Sequence, residues 1–177
     1  MKTQELLNRY AAREVDFREA NLAEAILNSV NLSRADLSRA DLSGADLSGT
    51  CFQQANLTNA DMIGADLTGA NLTEVNLIGS DLTGANLSGA DLSGADLRCA
   101  NLHQANLTGA NLTNADMSGA DMSGASLKDA ILHGTSLSGA DLMGVDLNIT
   151  NLTENQMDTA QGISHHWVSW NGSCAIR

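Results

Sequence analysis

Ala45-Asp46-Leu47-Ser48-Gly49 and Ala90-Asp91-Leu92-Ser93-Gly94 are two copies of one five-residue unit, small, polar, Leu, polar, small, which runs in unbroken register from Val15 to Met157. With the large apolar residue as its centre, the series Phe17, Leu22, Leu27, Leu32 and every fifth position to Met157 makes 29 units, and every centre is Leu, Met or Phe. A repeat this regular in a chain of 177 residues points to one elongated, quasi-one-dimensional unit. Aromatics are 3% and proline is absent, so the core must come from Leu and Ala; 43% apolar residues is too many for disorder.

The period of five excludes the two simple answers. On an α-helix a five-residue step turns about 140°, and the Leu series would spiral round the axis without forming a buried stripe. On a straight strand an odd period sends successive Leu side chains to opposite faces. The pattern works when each unit is a short extended piece followed by a corner. The small residue two before the Leu then points inward with it, and the Asp or Asn between them points out. Fourteen of the 16 glycines, from Gly44 to Gly144, fall two places after a centre, where a tight turn can demand positive φ. Four corners of roughly 90° close a coil of 20 residues, and the repeats fill about seven coils stacked about 4.8 Å apart, a body about 34 Å tall.

Ala-(Asp/Asn)-Leu-(Ser/Thr)-Gly in uninterrupted tandem resembles the pentapeptide-repeat proteins, over roughly 140 residues. That resemblance implies an all-β fold, a right-handed quadrilateral β-helix or solenoid; its handedness and square section come from the likeness. Composition suggests a bacterial member, of cyanobacterial kind. The domains read as a capping helix over 1–14, the repeat β-helix over 15–152 and a short helix with an aromatic tail over 153–177.

A stack of coils has open strand edges that need covering. Thr3 to about Ala12 places Leu6, Leu7, Tyr10 and Ala11 at helical spacing, with Thr3 as N-cap, and predicts a lid helix. Thr153-Glu154-Asn155-Gln156 fits a capping box and Gly162 a stop, which predicts a two-turn helix at the other end. Trp167 and Trp170, in the tail, are expected either to cover the last coil or to anchor a C-terminal dimer, as in some relatives. The chain is expected to be a monomer or such a dimer.

Folding the numbering modulo 20 assigns outward residues to four sides. One presents Asn21, Asp41, Asp61, Asp81, Asn101, Asp121 and Asp141; the opposite one presents Asn31, Cys51, Asn71, Asp91, Asn111, Ile131 and Asn151. The first is acidic and the second nearly neutral. Residues 40–157 hold 14 acids against Arg98 and Lys128, and six of the nine basic residues lie at or before Arg39. Asp41, Asp61, Asp81, Asp121 and Asp141 thus form a candidate acidic interaction face. Cys51 and Ile131, with the corner pairs Gln53-Gln54 and Thr113-Asn114, mark a candidate docking face. Asp and Asn also bond nearby backbone at turns, a structural reason for the same residues.

A narrow filled coil with periodic flat sides offers no concave pocket where mixed groups converge, so no enzyme is expected. His103 and His133 sit on opposite corners, and Ser and Thr recur at almost every corner without singling out a triad. Cys51, Cys99 and Cys174 lack CxxC spacing, the adjacent His165 and His166 lack further ligands, and no cofactor or metal is expected. A net charge of −12 disfavours direct nucleic-acid binding. The start lacks a secretory apolar run and no stretch is long enough to span a bilayer; a soluble cytoplasmic protein with no membrane contact is expected. The function expected is a non-enzymatic scaffold that engages another protein, of regulatory kind. The alternative, implied by the gyrase-inhibiting relatives, is a DNA mimic that blocks a type II topoisomerase through the acidic face.

Overall fold

Each unit is closed by one hydrogen bond, in which the N–H of the small residue opening the next unit donates to the carbonyl of the preceding centre, as Ala45 does to Leu42 at 3.1 Å. The residue just before that donor has positive φ, +62° at Gly44, the pattern of a type II turn. Four such turns carry the chain round to the coil above, where Asp41 lies over Asn21, Asp61 over Asp41 and Asp81 over Asp61 in parallel bridges 20 residues apart. The structure, a computed structural model, describes residues 1–145. The C-terminal helix expected after Thr153, the tail with Trp167 and Trp170, the His165-His166 pair, Cys174 and the last repeat units lie outside the described residues.

The unit around Leu42 shows how the backbone is satisfied. Ala40 N–H donates to Leu37 O, Asp41 N–H to Ala20 O in the coil below, and Leu42 and Gly44 N–H to Asp61 and Ile63 O in the coil above. Ser43 N–H has no backbone partner and instead donates to Asp41 Oδ1 at 3.1 Å. An extended piece this short supports a single bridge per side, so the four sides are built from isolated bridges without named strands. The all-β expectation is therefore met only in part, as a parallel-bridged coil with no regular strand or sheet among the described residues.

Every centre from Phe17 to Leu142 is at most 2% exposed, and so is every small residue from Ala35 to Ala140. Burial of each large centre contributes roughly 1.5–3 kcal/mol, the main term set against chain entropy. Where Thr occupies the small slot its hydroxyl turns back to the coil below: Thr50 Oγ1 donates to Leu27 O at 2.6 Å and Thr135 Oγ1 to Leu112 O at 2.7 Å. Among the described residues no buried side-chain polar atom lacks a partner.

Helix α1, Thr3–Ala11, closes the N-terminal end. Its cap lies one residue earlier than expected: the Lys2 carbonyl already accepts from Glu5 and Leu6, so Thr3 lies inside the first turn and Lys2, without a side-chain cap bond, is the N-cap. Leu6 is fully buried, Leu7 and Tyr10 pack partly against the core, and Ala11 is exposed. The helix also satisfies edge carbonyls that a coil below would have used. Tyr10 Oη donates to Ser33 O at 2.9 Å, Arg9 Nη2 reaches Asp16 O at 3.5 Å, and the Met1 amino group donates to Asn21 O. Arg9 lies 5.2 Å over the Phe17 ring and is clamped by Glu14.

Candidate interaction faces

Most residues in the slot just before a centre are held by a local bond. From Asn31 to Asp121, every Asp and Asn in this slot accepts at Oδ1 from the N–H two residues on. Asp141 does the same for Met143. Following Ser and Thr often add their hydroxyl, as Thr83 Oγ1 does to Asp81 at 2.6 Å. These are Asx turns, which supply the one backbone acceptor the coil lacks. Asn supplies that oxygen as well as Asp does, so the turn does not need a charge.

That distinction separates the four sides. On three of them an Asn amide donates down its column to the residue below: Asn56 Nδ2 to Asp36 Oδ1 and Asn111 Nδ2 to Asp91 Oδ1, both at 3.1 Å, and Asn86 Nδ2 to Asp66 Oδ1 at 3.4 Å. On the side of Asp41 no such donor reaches a carboxylate among the described residues. Asp41, Asp61 and Asp81 are bridged in direct succession, Asn101 intervenes, and Asp121 and Asp141 follow as a second pair. Two carboxylates about 4.8 Å apart repel by roughly 1 kcal/mol in water-like surroundings. Hydrogen bonds from the Ser43 hydroxyl and N–H hold the Asp41 carboxyl below its ordinary range, and the Ser123 hydroxyl does the same at Asp121.

The opposite side brings its two marked residues into one column but not together. Cys51 and Ile131 are separated by Asn71, Asp91 and Asn111 in the bridge series. Ile131 is 45% exposed, whereas Cys51 is partly covered, with Sγ 3.1 Å from Ser33 Oγ. The corner residue Gln54 is engaged between Arg34 and Glu74. His103 Nδ1 lies 2.8 Å from Ser123 Oγ, and Ser123 in turn bonds Asp121. Serine stands between the acid and the imidazole there, so the histidine is not oriented by the acid as a triad requires.

One feature escaped the modulo-20 reading because it joins the lid to the first two coils. Beside α1 a cleft of about 700 Å³ is lined by Arg9, Arg18 and Arg39 facing Glu14, Asp16, Glu19 and Asp36. Its arginines are paired, with Glu14 at 2.5 Å, Asp16 at 2.6 Å and Glu19 at 3.0 Å. The side-chain bond from Arg18 lowers the Asp16 carboxyl to about 2. Among the described residues no His, Cys, Asp and Glu group of three or more could hold a metal, and no helix is long and apolar enough to cross a membrane.

The family profile described as Pentapeptide repeats matches residues 16–54, 50–89, 85–124 and 110–148. Similar solved structures include HetL, a pentapeptide repeat protein involved in heterocyst differentiation regulation from the cyanobacterium Nostoc sp. strain PCC 7120. It is 35% identical over 83% of this chain and 91% of its own, with a TM-score of 0.34. A pentapeptide repeat protein from the Arabidopsis thaliana thylakoid lumen is 35% identical over 71% of this chain and 83% of its own, with a TM-score of 0.46. QnrB1, a plasmid-mediated fluoroquinolone resistance protein, is 24% identical over 71% of this chain and 68% of its own, with a TM-score of 0.34. A comparison with curated proteins finds no match.

Proposed function

The chain belongs to the pentapeptide-repeat family, and we propose that it is a non-catalytic scaffold whose flat sides engage another protein. Proteins of this family form right-handed quadrilateral β-helices, and we assign that hand and section to this coil. The observation that carries the reading is the surplus of charge on one side. Asn would complete the Asx turns of Asp41, Asp61 and Asp81 equally well, yet three carboxylates stand in succession with no amide between them. The fold does not require that charge, so we assign it to a partner with a basic surface, steered by long-range attraction. To the scaffold we also assign a regulatory role in a cytoplasmic setting.

The test is capture of partners from lysate by the wild type and by two full-chain variants, Asp41/Asp61/Asp81→Asn and Ile131→Lys. A partner lost with one face and kept with the other supports the scaffold. Partners that ignore changes on both faces overturn it.

The same column supports a second reading, a DNA mimic acting on a type II topoisomerase. Duplex DNA carries one charge per about 1.7 Å of axis, and a carboxylate every coil is sparser. Inhibition of gyrase supercoiling by the wild type, abolished in the Asp41/Asp61/Asp81→Asn variant, would put this reading first. No inhibition by either would remove it.

A further inference from the structure

Given that the acidic side binds a basic partner, we infer that this partner is an amphipathic α-helix, with a basic and an apolar stripe, laid along the stack from Asp41 to Asp141. The row beside the acids carries a second feature the fold does not need. After Asp41 and Asp81 stand Ser43 and Thr83, whose hydroxyls donate to the carboxylates at 2.6 Å. After Asp61 and Asp141 stand Ile63 and Met143, 44% and 63% exposed. Among the described residues those two carboxylates receive only the N–H of the Asx turn. An under-bonded carboxylate and an exposed apolar side chain thus come together twice on one side, four coils apart. No other side carries two exposed large apolar residues among the described residues; Ile26 and Ile131 stand on different sides. Exposed apolar residues set singly are ordinary; here they recur beside the unrelieved charge, which points to one occupant touching both rows.

The backbone decides against a strand as that occupant. Adding a strand requires unpaired N–H and C=O groups along an edge, and every N–H from Ala60 to Ala65 is already donated within the coils. A helix brings its own backbone bonds already closed. Residues three or four apart on a helix share a face and rise about 4.5 or 6 Å, which brackets the spacing of about 4.8 Å between coils. Lys or Arg at i, i+4 and i+7 therefore follows Asp41, Asp61 and Asp81, and apolar residues on the adjoining stripe meet Ile63. The five coil steps from Asp41 to Asp141 span about 24 Å, the length of about 16 helical residues. The flanking corner is open, since Gly64 and Gly84 project no side chain and a Cβ there would meet nothing within 4 Å. A helix about 10–12 Å across can rest on both rows.

The experiment measures binding of three labelled probes to the full chain by fluorescence anisotropy at low salt. One is a peptide of Lys, Leu and Ala about 16 residues long, with its lysines and leucines on adjoining helical stripes. The second has the same composition shuffled round the helix, and the third is octalysine. In the variant Ile63→Ser with Met143→Ser, each replacement is the residue this row carries at Ser43 and Ser123, so the coil keeps its turns. The striped peptide is expected to bind about tenfold tighter than the shuffled one and to lose that margin in the Ser variant. Octalysine should bind that variant as it binds the wild type, and Asp41/Asp61/Asp81→Asn should weaken every probe. Equal affinity of the striped and shuffled peptides, or a Ser variant that keeps the margin, overturns the helix. If octalysine then still binds the wild type and not the Asn variant, the basic partner stands without the helix; if no probe binds the wild type, both readings fall.

Discussion

Gln54 donates from Nε2 to Glu74 Oε2, one coil above it, at 2.7 Å. Its own Oε1 accepts from Arg34 Nε, one coil below, at 3.1 Å. All three residues stand at corner positions with φ of +61°, +58° and +56°, where most other corners carry glycine. Left-handed backbone costs a non-glycine residue roughly 1–2 kcal/mol. The side-chain ladder returns part of that cost.

Gln54→Gly relieves the corner and cuts two exposed bonds, each worth about 0.5 kcal/mol, so its stability should stay within about 1 kcal/mol of wild type. Gln54→Ala keeps the strain and loses the bonds, and should fall about 1 kcal/mol below the glycine variant. Urea midpoints at constant slope give the order. An alanine variant as stable as the wild type would refute the ladder.

Gly79 and Gly64 share positive φ but not surroundings. A Cβ on Gly79 would meet Asn59 Oδ1 at 2.6 Å, while one on Gly64 meets nothing within 4 Å. Gly64→Ala should cost about 1–2 kcal/mol from backbone strain alone. Gly79→Ala should cost more, because Asn59 has to turn aside. Adding Asn59→Gly should bring the two costs together in a double-mutant cycle, and a coupling energy of zero would contradict the contact.

Replacing Asp61 tests the Asx spine. Asp61→Asn keeps the acceptor for Ile63 N–H and should leave stability unchanged or slightly raised at low salt. Asp61→Ala orphans that N–H and should cost about 1 kcal/mol. Equal stability of the two variants would show that the bond contributes nothing.

Asp41, Asp46, Asp96 and Asp121 all have carboxyls held below the ordinary range, at Asp41 and Asp46 chiefly by the following serine hydroxyl. A carboxyl lowered in the folded state adds stability that is complete above its unfolded value, near 4, and is lost as pH falls through the folded value. Urea midpoints should therefore be flat from pH 7 to about 5 and drop as the pH falls below about 4. Asp41→Asn should make that drop shallower. A midpoint that rises on acidification would reverse the sign and reject the assignment.

Leu6→Ala should destabilise the N-terminal end by roughly 2–4 kcal/mol, through lost burial and a cavity under the lid. Leu7→Ala, on a side chain only partly packed, should cost under about 1 kcal/mol. Hydrogen exchange along the coils would locate the loss at the first coil, and uniform loss along the stack would contradict it.

The sequence by itself determined the period, the four corners, the inward series from Phe17 to Leu142 and the columns of outward residues. Each follows from one local pattern repeated without interruption, and simple arithmetic then places residue 61 over residue 41. It also indicated a lid helix from the spacing of Leu6, Leu7 and Tyr10, though not that Lys2 and not Thr3 would cap it. Only the tertiary structure decided what the side chains do across coils. That the carboxylates of Asp41, Asp61 and Asp81 close turns, that the Asn111 amide reaches Asp91 while no column amide reaches Asp61, and that Gln54 joins Arg34 to Glu74 all depend on which atom reaches which partner 2 or 20 residues away. Composition holds no record of that reach, because Asp and Asn fit the slot equally; rotamer and register, set only when the coils stack, choose among the bonds.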